Sequence, residues 1–446
     1  MRYEAWAPTS LVEHVSIKHG YAFKGQYFSD LPTHDILVTP GNFRVGGGFK
    51  GDKPKYYAGE CPEDYVLNSG DLIITMTDLS KNGDTLGYPA LVPEGNDRRY
   101  LHNQRIGRVF RESERVSMEF LYWRLRSIDY QRYVVNGASG TTVKHTSPSS
   151  ILKFHFLLPP LREQRSIAAT LSCLDDKIEL NNRMNKNLEE MAQALFKSWF
   201  VDFDPVKAKM EGREPAGMDA ETAALFPDEF EDSELGMIPK GWRVGPLEQL
   251  GKVVGGSTPS KAIAGYYCDD GGIPWITPKD LSTHQGKFVS RGSINITELG
   301  FRNSSTAVLP RGSVLFSSRA PIGYMAVALN DVTTNQGFKS IIPGEGIGTE
   351  FVYNTLNQSR ELIDARAVGS TFKEISGSAM KSIPVMLPGS RALSAFGDRV
   401  GALTEMQINL EDENANLVTL RDTLLPKLMS GEIRVPEAED ILEEVL

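Results

Sequence analysis

The sequence contains an internal duplication, which limits the possible folds more strongly than any other feature. Residues 139–160 (SGTTVKHTSPSSILKFHFLLPP) align without gaps with residues 368–389 (VGSTFKEISGSAMKSIPVMLPG), at an offset of 229. Residues 119–125 (EFLYWRL) match residues 350–356 (EFVYNTL) at an offset of 231. A chain of 446 residues is also too long for one ordinary core. We therefore expect two related domains, each followed by a similar helix.

Each repeated block carries short strand signals followed by a helix signal. The strand-like runs are rich in β-branched and apolar residues and are bounded by glycine or proline. They are DILVTP (35–40), DLIITMT (71–77), IPWITP (273–278) and SVLFSS (313–318). Helices are predicted at about 117–132 and at 348–366. The pattern indicates an α+β fold with two similar mixed α/β domains.

A long helix is predicted after each block. In the first helix, positions at a spacing of three and four form a coiled-coil seam with polar interruptions. The seam positions are Ile167, Leu171, Leu174, Ile178, Asn181, Asn185, Leu188, Ala192, Leu195 and Trp199. Adding 229 gives the second seam, which consists of Phe396, Val400, Leu403, Gln407, Leu410, Asn414, Leu417, Arg421, Leu424 and Leu428.

The polar seam positions bear on how the two helices pair. Asn185 of the first seam aligns with Asn414 of the second. An asparagine at such a position lowers stability but fixes the register. We expect the helices to form an antiparallel coiled coil, because each must lead away from one block and towards the other. The alternative is that each helix packs only on its own domain.

The net charge of −9 is unevenly distributed along the chain. Residues 201–240 carry eleven acids and four bases, and residues 431–446 carry six acids and one base. In contrast, residues 1–160 have a net charge of +2 and residues 241–389 a net charge of +3. The acidic residues therefore lie in a linker and a tail. The two mildly basic blocks are compatible with binding to DNA but do not require it.

Several classes of protein and site are disfavoured by the sequence. No apolar run approaches the roughly 18 residues needed to span a bilayer, and MRYEAWAPTS lacks a signal-peptide core, so we expect a cytoplasmic protein. Cys61, Cys173 and Cys268 form no CxxC pair and are predicted to be buried free thiols. No GxxxxGK[ST], HExxH or GxSxG motif is present, and we expect no metal site. Of the scattered histidines, His102 and His145 are better interpreted as loop or base-contact residues than as ligands.

Three segments resemble a known protein family. They are residues 157–206 (LLPPLREQRSIAATLSCLDDKIELNNRMNKNLEEMAQALFKSWFVDFDPV), 225–242 (LFPDEFEDSELGMIPKGW) and 420–435 (LRDTLLPKLMSGEIRV). Together with the GSTFKEIS-type turn before each helix, they look like the conserved regions of type I restriction–modification specificity subunits. The resemblance covers nearly the whole chain in the same order.

The resemblance implies a modular organisation of the chain. It predicts a first target recognition domain (1–158), a central conserved helix (159–200), an acidic linker (201–240), a second target recognition domain (241–388), a C-terminal conserved helix (389–430) and an acidic tail (431–446). Each recognition domain would read one half of a split, asymmetric double-stranded DNA target. The helix pair would set the spacing and dock two modification subunits.

The resemblance also implies that the chemistry belongs to partner subunits. The modification subunits would supply an S-adenosylmethionine-dependent adenine methyltransferase. Restriction subunits would add ATP- and Mg-dependent translocation and cleavage. The specificity subunit itself would be non-catalytic and hold no cofactor, and it would be associated with the nucleoid through DNA.

Candidate DNA contacts are basic and amide side chains in predicted loops, since these residue types bind phosphates and base edges. In the first domain they are Arg44, Lys50, Lys53, Lys55, Lys81, Asn82, Arg98, Arg99, Lys144 and His145. In the second domain they are Lys261, Lys279, Arg291, Arg302, Arg319 and Lys373. The repeated pairs Asn103-Gln104 and Asn335-Gln336 are predicted to satisfy backbone groups or to contact phosphate, because shared residues cannot read different half-sites. Specificity should instead lie where the copies diverge, roughly at 20–100 and 255–330.

Two alternatives stay open at this point. The chain could be the specificity subunit of a methylation-only or phage-defence complex that has no nuclease. It could also be a protein-interaction scaffold that joins two partners without DNA. The scaffold alternative predicts no salt-dependent DNA binding, whereas DNA recognition predicts a steep dependence on salt.

Overall fold

The computed structural model describes residues 6–78, 80, 82–95, 97–284, 286–369 and 373–445, with side chains to residue 442. The chain divides into two compact units. The first unit contains Met1–Glu179 and Ala415–Leu446, and the second contains Leu180–Asn414. Each unit therefore combines one of the repeated domains with a part of both long helices. The predicted domain boundaries stay a prediction, because this division cuts through the helices.

Up to the first long helix, which is α4, the elements are a series of short strands, followed by short helices and two further strands. Up to residue 200 they are β1 (Ala7–Ser10), β2 (Val15–His19), β3 (Phe28–Ser29), β4 (Asp35–Val38), β5 (Lys55–Tyr57), β6 (Val66–Leu67), β7 (Leu72–Thr75), β8 (Thr77–Asp78), β9 (Pro89–Leu91), β10 (Arg99–His102), β11 (Ile106–Arg111), α1 (Met118–Arg124), α2 (Ile128–Asn136), β12 (Lys144–His145), α3 (Pro148–Ile151), β13 (His155–Leu158) and α4 (Leu161–Phe200).

The second half of the chain also runs from short strands to short helices before its long helix, α12, but it has additional short helices before and between the strands. Its elements are α5 (Asp204–Met210), α6 (Ala220–Ala223), β14 (Phe230–Glu231), β15 (Ile238–Pro239), β16 (Arg243–Pro246), β17 (Gly251–Gly255), β18 (Tyr267–Cys268), β19 (Ile273–Ile276), α7 (Pro278–Thr283), β20 (Phe288–Val289), β21 (Ile294–Ile296), α8 (Glu298–Arg302), β22 (Val314–Ser318), β23 (Ile322–Ala328), β24 (Thr333–Thr334), β25 (Lys339–Pro343), α9 (Thr349–Gln358), α10 (Arg360–Arg366), α11 (Gly377–Lys381), β26 (Pro384–Leu387), α12 (Ser390–Ser430) and α13 (Val435–Val445). Short 3-10 helices cover Leu11–Glu13, Gly25–Tyr27, Pro40–Asn42, Glu63–Tyr65, Leu247–Leu250 and Ala264–Tyr266.

The two domains share a common sheet topology, to which the second domain adds β20 and the first domain adds β6. One sheet has the order β2-β11-β7-β9 in the first domain and β17-β25-β22-β23-β20 in the second. The other sheet has the order β3-β5-β4-β10-β6 in the first domain and β18-β21-β19-β24 in the second. In this second sheet, β4 pairs in parallel with β10, and β19 pairs in parallel with β24. The predicted α+β duplication is therefore confirmed by strand order as well as by sequence.

A turn at the end of β4 and of β19 is also repeated. Thr39 and Asn42 form a reciprocal capping box at the first turn, and Thr277 and Asp280 form the same box at the second. In each case a proline follows the capping threonine, where its missing N–H costs nothing. The four predicted strand-like runs all contain strands, namely β4, β7, β19 and β22, and two of these strands, β4 and β19, end at this turn.

One pair of glycines marks a close backbone contact in both domains. A Cβ at Gly20 would lie 2.1 Å from the carbonyl oxygen of Asn103, and a Cβ at Gly256 would lie 2.1 Å from that of Asn335. These distances are far below van der Waals contact, so only glycine fits at either position. The repeated asparagine and the repeated glycine are therefore parts of one packing motif.

Helices α4 and α12 run antiparallel in each unit. In the first unit, an Nη of Arg421 donates to Asp175 at 2.7 Å, and Arg434 pairs with Glu163 further along. In the second unit, the residue numbers again rise in one helix as they fall in the other, from the pair Asn181–Asn414 to the ring contact of Phe196 with Phe396. The antiparallel coiled coil is therefore confirmed.

The helices also pack on the domains, so the alternative interpretation is partly correct. Ile167 and Leu171 belong to a buried cluster that contains Phe120 and Trp123 of the first domain. Phe196 belongs to a second cluster with residues of the second domain. Each long helix therefore contributes to two cores, and the seam is one face of a larger packed surface.

Two sequence expectations about helices need correction. The helix predicted at 117–132 is interrupted, because Ser127 caps a new helix, α2, and its hydroxyl accepts a hydrogen bond from Arg124. The helix predicted at 348–366 is likewise divided at Ser359. The apolar spacing continues across both interruptions, which explains why periodicity alone predicts one helix in each case.

The acidic segments after both long helices contain regular structure. In 201–240, α5 buries Val206 and the following residues bury Phe226 in the core of the second unit. In 431–446, α13 buries Val435 and Ala438 in the core of the first unit. Most of the acidic side chains that the structure describes in these segments are exposed, while apolar residues complete a core. An acidic composition therefore does not reveal that the segments are packed.

Candidate nucleic-acid interface

A cavity of about 680 Å³, lined largely by polar residues, opens in the second domain at the carboxyl ends of the parallel strands β19 and β24. Ligands of mixed sheets often bind at such an edge. The cavity is lined by Thr258, Lys261, Tyr267, Trp275, Thr277, Pro278, Lys279, Asp280, Ser293, Ile294, Arg319, Ala320, Asn335, Gln336 and Gly337. It brings together three of the predicted DNA-binding bases, which are distant from one another in the sequence.

Asp280 fixes one wall of this cavity. Its carboxylate accepts hydrogen bonds from the N–H of Thr277 at 2.8 Å and from the N–H of Ser293 at 2.9 Å. Burial alone would raise the pKa of Asp280, but the hydrogen bonds from Thr277 and Ser293 outweigh burial and lower it. The carboxylate is therefore ionised and fully engaged in holding two loops together.

The aromatic rings of the cavity are fixed by their polar atoms. The Tyr267 hydroxyl donates to the carbonyl of Pro259 at 2.6 Å, and Trp275 Nε1 donates to the carbonyl of Ser257 at 3.1 Å. Both bonds hold the segment 257–259 along the rim. This segment ends near Lys261, so the rim is a defined surface rather than a free loop.

Three cationic side chains surround the opening. Lys261 and Lys279 are exposed and form no ion pair within the described part of the chain. Arg319 is half-buried, with a nitrogen 3.6 Å from a carboxylate oxygen of Glu374. Cations at the rim of this cavity suit phosphate groups, and an arginine also suits guanine edges.

In the repeated Asn-Gln pair, the asparagine stabilises a local turn, and Gln336 of the second domain is exposed at the cavity. The Asn335 side-chain oxygen accepts from the N–H of Gly337 at 2.8 Å, and the Asn103 oxygen accepts from the N–H of Arg105 at 3.1 Å. Both asparagines therefore make the same local turn, as the backbone interpretation expects. Gln336 is exposed at the cavity and accepts a hydrogen bond from Thr258.

The other candidates of the second domain do not line this cavity. Arg291 is exposed and donates to the carbonyl of Asp269 at 3.1 Å. Arg302 lies on α8 and pairs with Glu298 one turn away at 3.2 Å. Lys373 is exposed. They stay candidate phosphate contacts.

In the first domain, the glycine-rich loop 43–50 is a fixed hairpin. Gly46, Gly47 and Gly48 all have positive φ angles, between 85° and 101°. A Cβ at Gly47 would lie 2.7 Å from Cγ of Arg126, whose Nε donates to the carbonyl of Gly46 at 2.8 Å. The loop is therefore clamped by an arginine and presents its outer side to solvent.

The basic residues of this loop differ in how free they are. Arg44 and Lys53 are exposed. Lys50 lies 3.6 Å from a carboxylate oxygen of Asp52, and the Lys55 ammonium lies 4.1 Å from the centre of the Phe28 ring. All four sit near the carboxyl end of β4 or the start of β5, so the structure brings them to one edge of the sheet.

A second group of candidates meets at β8 and β12. Lys144 pairs with Asp78 across the two strands, and His145 shares a 3.2 Å hydrogen bond with the Thr77 hydroxyl. The following turn presents Asn82 to solvent, while Lys81 lies outside the described residues. Asn82, Lys144 and His145 thus lie close together and stay candidate contacts.

The geometry argues against a DNA role for Arg99. Its guanidinium makes two hydrogen bonds of 2.8 Å to the carboxylate of Asp35 on the neighbouring strand. Arg98 is exposed, but both arginines lie at the start of β10, whereas loop 43–50 follows the end of the parallel strand β4. Arg98 and Arg99 therefore lie at the opposite end of the sheet from loop 43–50, and they cannot form one continuous surface with that loop.

The expectation that His102 contacts a base is wrong. Its side chain is 0% exposed, and its Nε2 is 2.9 Å from the carbonyl of Ile106. Burial lowers the pKa of His102 to about 4, so the ring is neutral at pH 7 and donates from Nε2. The expectation of buried cysteines is also wrong, since Cys173 is exposed and Cys61 and Cys268 are half-buried.

The polar seam positions form a hydrogen-bonded layer. The Asn414 amide donates to Asn182 at 3.0 Å and its oxygen accepts from Asn181 at 3.1 Å. Asn185, its sequence counterpart, is not in this layer; its carbonyl accepts from Gln407 at 3.3 Å. The apolar positions Ile167, Leu171, Leu174, Leu188, Val400, Leu410, Leu417 and Leu424 are buried, and Ile178, Leu195 and Leu403 are half-buried.

Two clusters of charged residues were missed by sequence reasoning. The first consists of Asp175, Arg126 and Arg421, and the second of Lys287, Glu189, Glu350 and Glu411. Their members are far apart in sequence. The one available signal is that Arg421 replaces an apolar residue at a seam position.

The described residues provide neither a membrane-crossing helix nor a metal site. No helix among them is both long and apolar enough to span a bilayer. No group of three or more His, Cys, Asp or Glu side chains in this part of the chain is arranged to hold a metal ion. The side chains that line the cavity can bind a ligand through cationic, amide and hydroxyl groups.

Comparison with known proteins identifies the same architecture. The model of the type I restriction modification DNA specificity domain matches residues 54–190 and 239–413. The HindI specificity subunit of Haemophilus influenzae is 32% identical over 362 residues, which are 71% of this chain and 78% of that protein. The MjaIX specificity subunit of Methanocaldococcus jannaschii is 45% identical over 182 residues, 39% of this chain and 41% of its own.

A solved structure has a similar fold. The crystal structure of a type I restriction-modification S subunit from M. genitalium aligns with a TM-score of 0.55 and 15% identity, and the alignment covers 96% of both chains. At this identity the likeness concerns the fold.

Proposed function

Because the chain belongs to the family of type I restriction–modification DNA specificity subunits, we propose that its two domains are target recognition domains that each read one half of a split DNA sequence. The helix pair α4–α12 sets the spacing between the half-sites and docks two modification subunits. Those subunits supply the S-adenosylmethionine-dependent methyltransferase, and a restriction subunit supplies ATP- and Mg-dependent activity.

The observation that carries this proposal is the repeated sheet topology combined with divergent surfaces. The shared features, such as Asn103, Asn335 and the capped turns, are engaged in local structure. The basic residues at the cavity, Lys261, Lys279 and Arg319, have no counterpart in the aligned segments of the first domain. Two scaffolds of one fold that carry different contact groups suit an asymmetric target.

The first prediction concerns the target and its salt dependence. The complex with its modification subunits should methylate adenines in one bipartite motif, which single-molecule sequencing of the host genome would reveal. Its affinity for that motif should fall by at least about a thousandfold between 50 and 200 mM salt, because Lys and Arg release counterions from phosphates. In the same assay, R319Q should weaken binding while K252Q, an exposed lysine away from the cavity, should not.

Three outcomes would contradict the proposal. Binding that ignores salt and sequence favours the protein-interaction scaffold. A methylation motif without a gap removes the two half-site model. Replacement of 1–158 by a relative's domain should alter one half-site, so a change in both would also exclude it. A complex that methylates the motif without any nuclease partner would instead identify the methylation-only variant.

A further inference from the structure

In the second unit, one buried lysine connects the recognition domain to both long helices. The Lys287 side chain is 6% exposed, and its Nζ lies 2.8 Å from a carboxylate oxygen of Glu189 on α4 and 2.8 Å from one of Glu350 on α9. The ammonium also lies 4.6 Å from the centre of the Tyr353 ring. Glu350 in turn accepts a 3.0 Å hydrogen bond from Thr404 on α12. Lys287, Glu189, Glu350 and Glu411 form what we call the lysine cluster.

Glu411 holds the backbone at the same place. Its carboxylate accepts from the N–H of Lys287 at 2.8 Å and from the N–H of Phe288 at 3.2 Å. A Cβ at Gly286 would lie 2.2 Å from Glu411 Oε2, so a larger residue there would displace the carboxylate from these two N–H groups. Burial raises the pKa of Glu411 despite these donors, whereas Lys287 holds the pKa of Glu189 down against the effect of burial.

In the first unit, an aspartate on α4 connects the recognition domain to the long helices, as Lys287 does in the second unit. Asp175 on α4 pairs with Arg126 of the recognition domain, and it accepts from Arg421 on α12 at 2.7 Å. The Arg126 side chain is 5% exposed and also clamps the glycine-rich loop. Nearby, Trp123 Nε1 donates to Ser172 of α4 at 2.9 Å. Asp175, Arg126 and Arg421 form what we call the aspartate cluster.

The helix positions of the two clusters have lost their charge in the other copy of the repeat. At the offset of 229, Asp175 corresponds to Thr404 (175 + 229), and Arg421 to Ala192 (421 − 229). Likewise Glu189 corresponds to Val418 and Glu411 to Asn182. At an offset of 231, Arg126 corresponds to Asn357. The first domain places Arg126 beside Asp175, which is also paired with Arg421. The second domain places Lys287 among carboxylates only.

We propose that Lys287 and Asp175 are positioning residues which fix each recognition domain on its own part of the helix pair, through charge arrangements that are not interchangeable. A buried charge that loses its partner is strongly unfavourable, so each cluster accepts only the domain that completes it. This inference rests on the proposed function for its effect on DNA spacing, but the contacts themselves can be tested without DNA.

The first test compares K287M with K287R in the full chain. We expect amide hydrogen exchange at 286–289 to become at least about tenfold faster in K287M and to stay near wild type in K287R, which keeps the cation. E190V, at an exposed position of α4, is the matched control and should change nothing at 286–289. Unchanged exchange in K287M overturns the proposal. If K287M does not fold, the milder E189Q replaces it, with the same outcomes.

The second test measures how strongly the assembled complex prefers the native spacer length between the two halves of its methylation motif. The wild type should prefer the native spacer over spacers one base pair longer or shorter, and K287M should lose about tenfold of that preference while K287R retains it. A K287M complex with faster exchange but full spacing preference contradicts the positioning role. If the wild type reads no split motif, the proposed function fails, whereas the exchange result still decides the contacts.

A domain duplication tests interchangeability. In two chimeric chains, residues 242–387 are replaced by a second copy of 6–158. The first chain keeps the native helices. The second chain also carries T404D, A192R and G401S, which reproduce Asp175, Arg421 and Ser172 of the first unit at the corresponding positions. We expect the second chain to melt at least about 3 °C above the first. Equal melting temperatures, or the reverse order, overturn the claim that each domain requires its own cluster.

Discussion

Single residues here often have a structural role where their chemistry suggests a functional one. Asp280, Asn335 and Arg99 all carry groups that bind nucleic acids, yet each is engaged in a local hydrogen-bond network. For the asparagine, which both domains share, the sequence predicted either this role or a phosphate contact. It could not do so for Arg99, because its partner Asp35 lies 64 residues away on a parallel strand.

His102 gives the second prediction, a pH dependence of stability. Its folded pKa is about 4, below the ordinary value of 6.5. The folded state therefore excludes a proton that the unfolded state binds, so the contribution is complete above pH 6.5 and is lost as pH falls towards 4. Wild type should lose about 2 kcal/mol from this residue between pH 7.5 and pH 5.

The control for His102 comes from the duplication. Thr334 lies at the corresponding place before Asn335, and it is also buried. Urea unfolding of H102T at the two pH values should show a smaller loss of unfolding free energy than wild type, whatever its stability at pH 7.5. An identical loss in both proteins would show that His102 is not responsible.

At the scale of elements, the long helices are the part of the fold that sequence predicts best. The predicted central helix (159–200) begins two residues before α4 (Leu161–Phe200) and ends with it, since forty residues of regular apolar spacing leave little ambiguity. Short strands, the divided helices and the folded acidic segments are less predictable, because contacts from distant residues determine them. The cavity could not be predicted at all, since it forms only where β19 and β24 meet.

The third prediction concerns the asparagine layer. N414L removes the hydrogen bonds of Asn414 to Asn181, which is 0% exposed, and to Asn182, while the Asn181 amide keeps its 2.7 Å bond to Glu413. We expect a loss of about 1–3 kcal/mol of unfolding free energy, measured by urea denaturation, because two hydrogen bonds of the layer are lost. N416L, at an exposed position of α12, should change stability by less than about 0.5 kcal/mol.

The double variant N181L/N414L separates stability from register. Leucines at both positions should recover the lost stability, since polar seam residues reduce it. The exchange of α4 and α12 amides should then reveal more than one register. Recovery of stability with a single, native register would show that the asparagines do not specify the pairing.

At the scale of the whole molecule, the fourth prediction treats the helix pair as a spacer. Seven residues inserted into the region 167–199, with seven at the facing positions of α12, add about 10 Å of helix. This is the rise of about three base pairs. The methylation motif of the assembled complex should therefore have a longer gap, or assembly should fail.

The matched control places the same seven residues at 211–214, which are exposed and lie outside the helix pair. That insertion should leave the motif unchanged. An unaltered gap and full assembly after the helix insertions would rule out the spacer role, although the identity of the two half-sites would still stand.

The glycine pair Gly20 and Gly256 has a consequence for protein engineering. A Cβ at either glycine would collide with a carbonyl oxygen, and each glycine lies at the start of the divergent part of its domain. A mutant library aimed at new DNA targets should therefore keep Gly20, Gly256 and their asparagine partners constant. Randomisation should be confined to the exposed positions around the cavity and the glycine-rich loop. Substitutions there should alter binding while they change stability little.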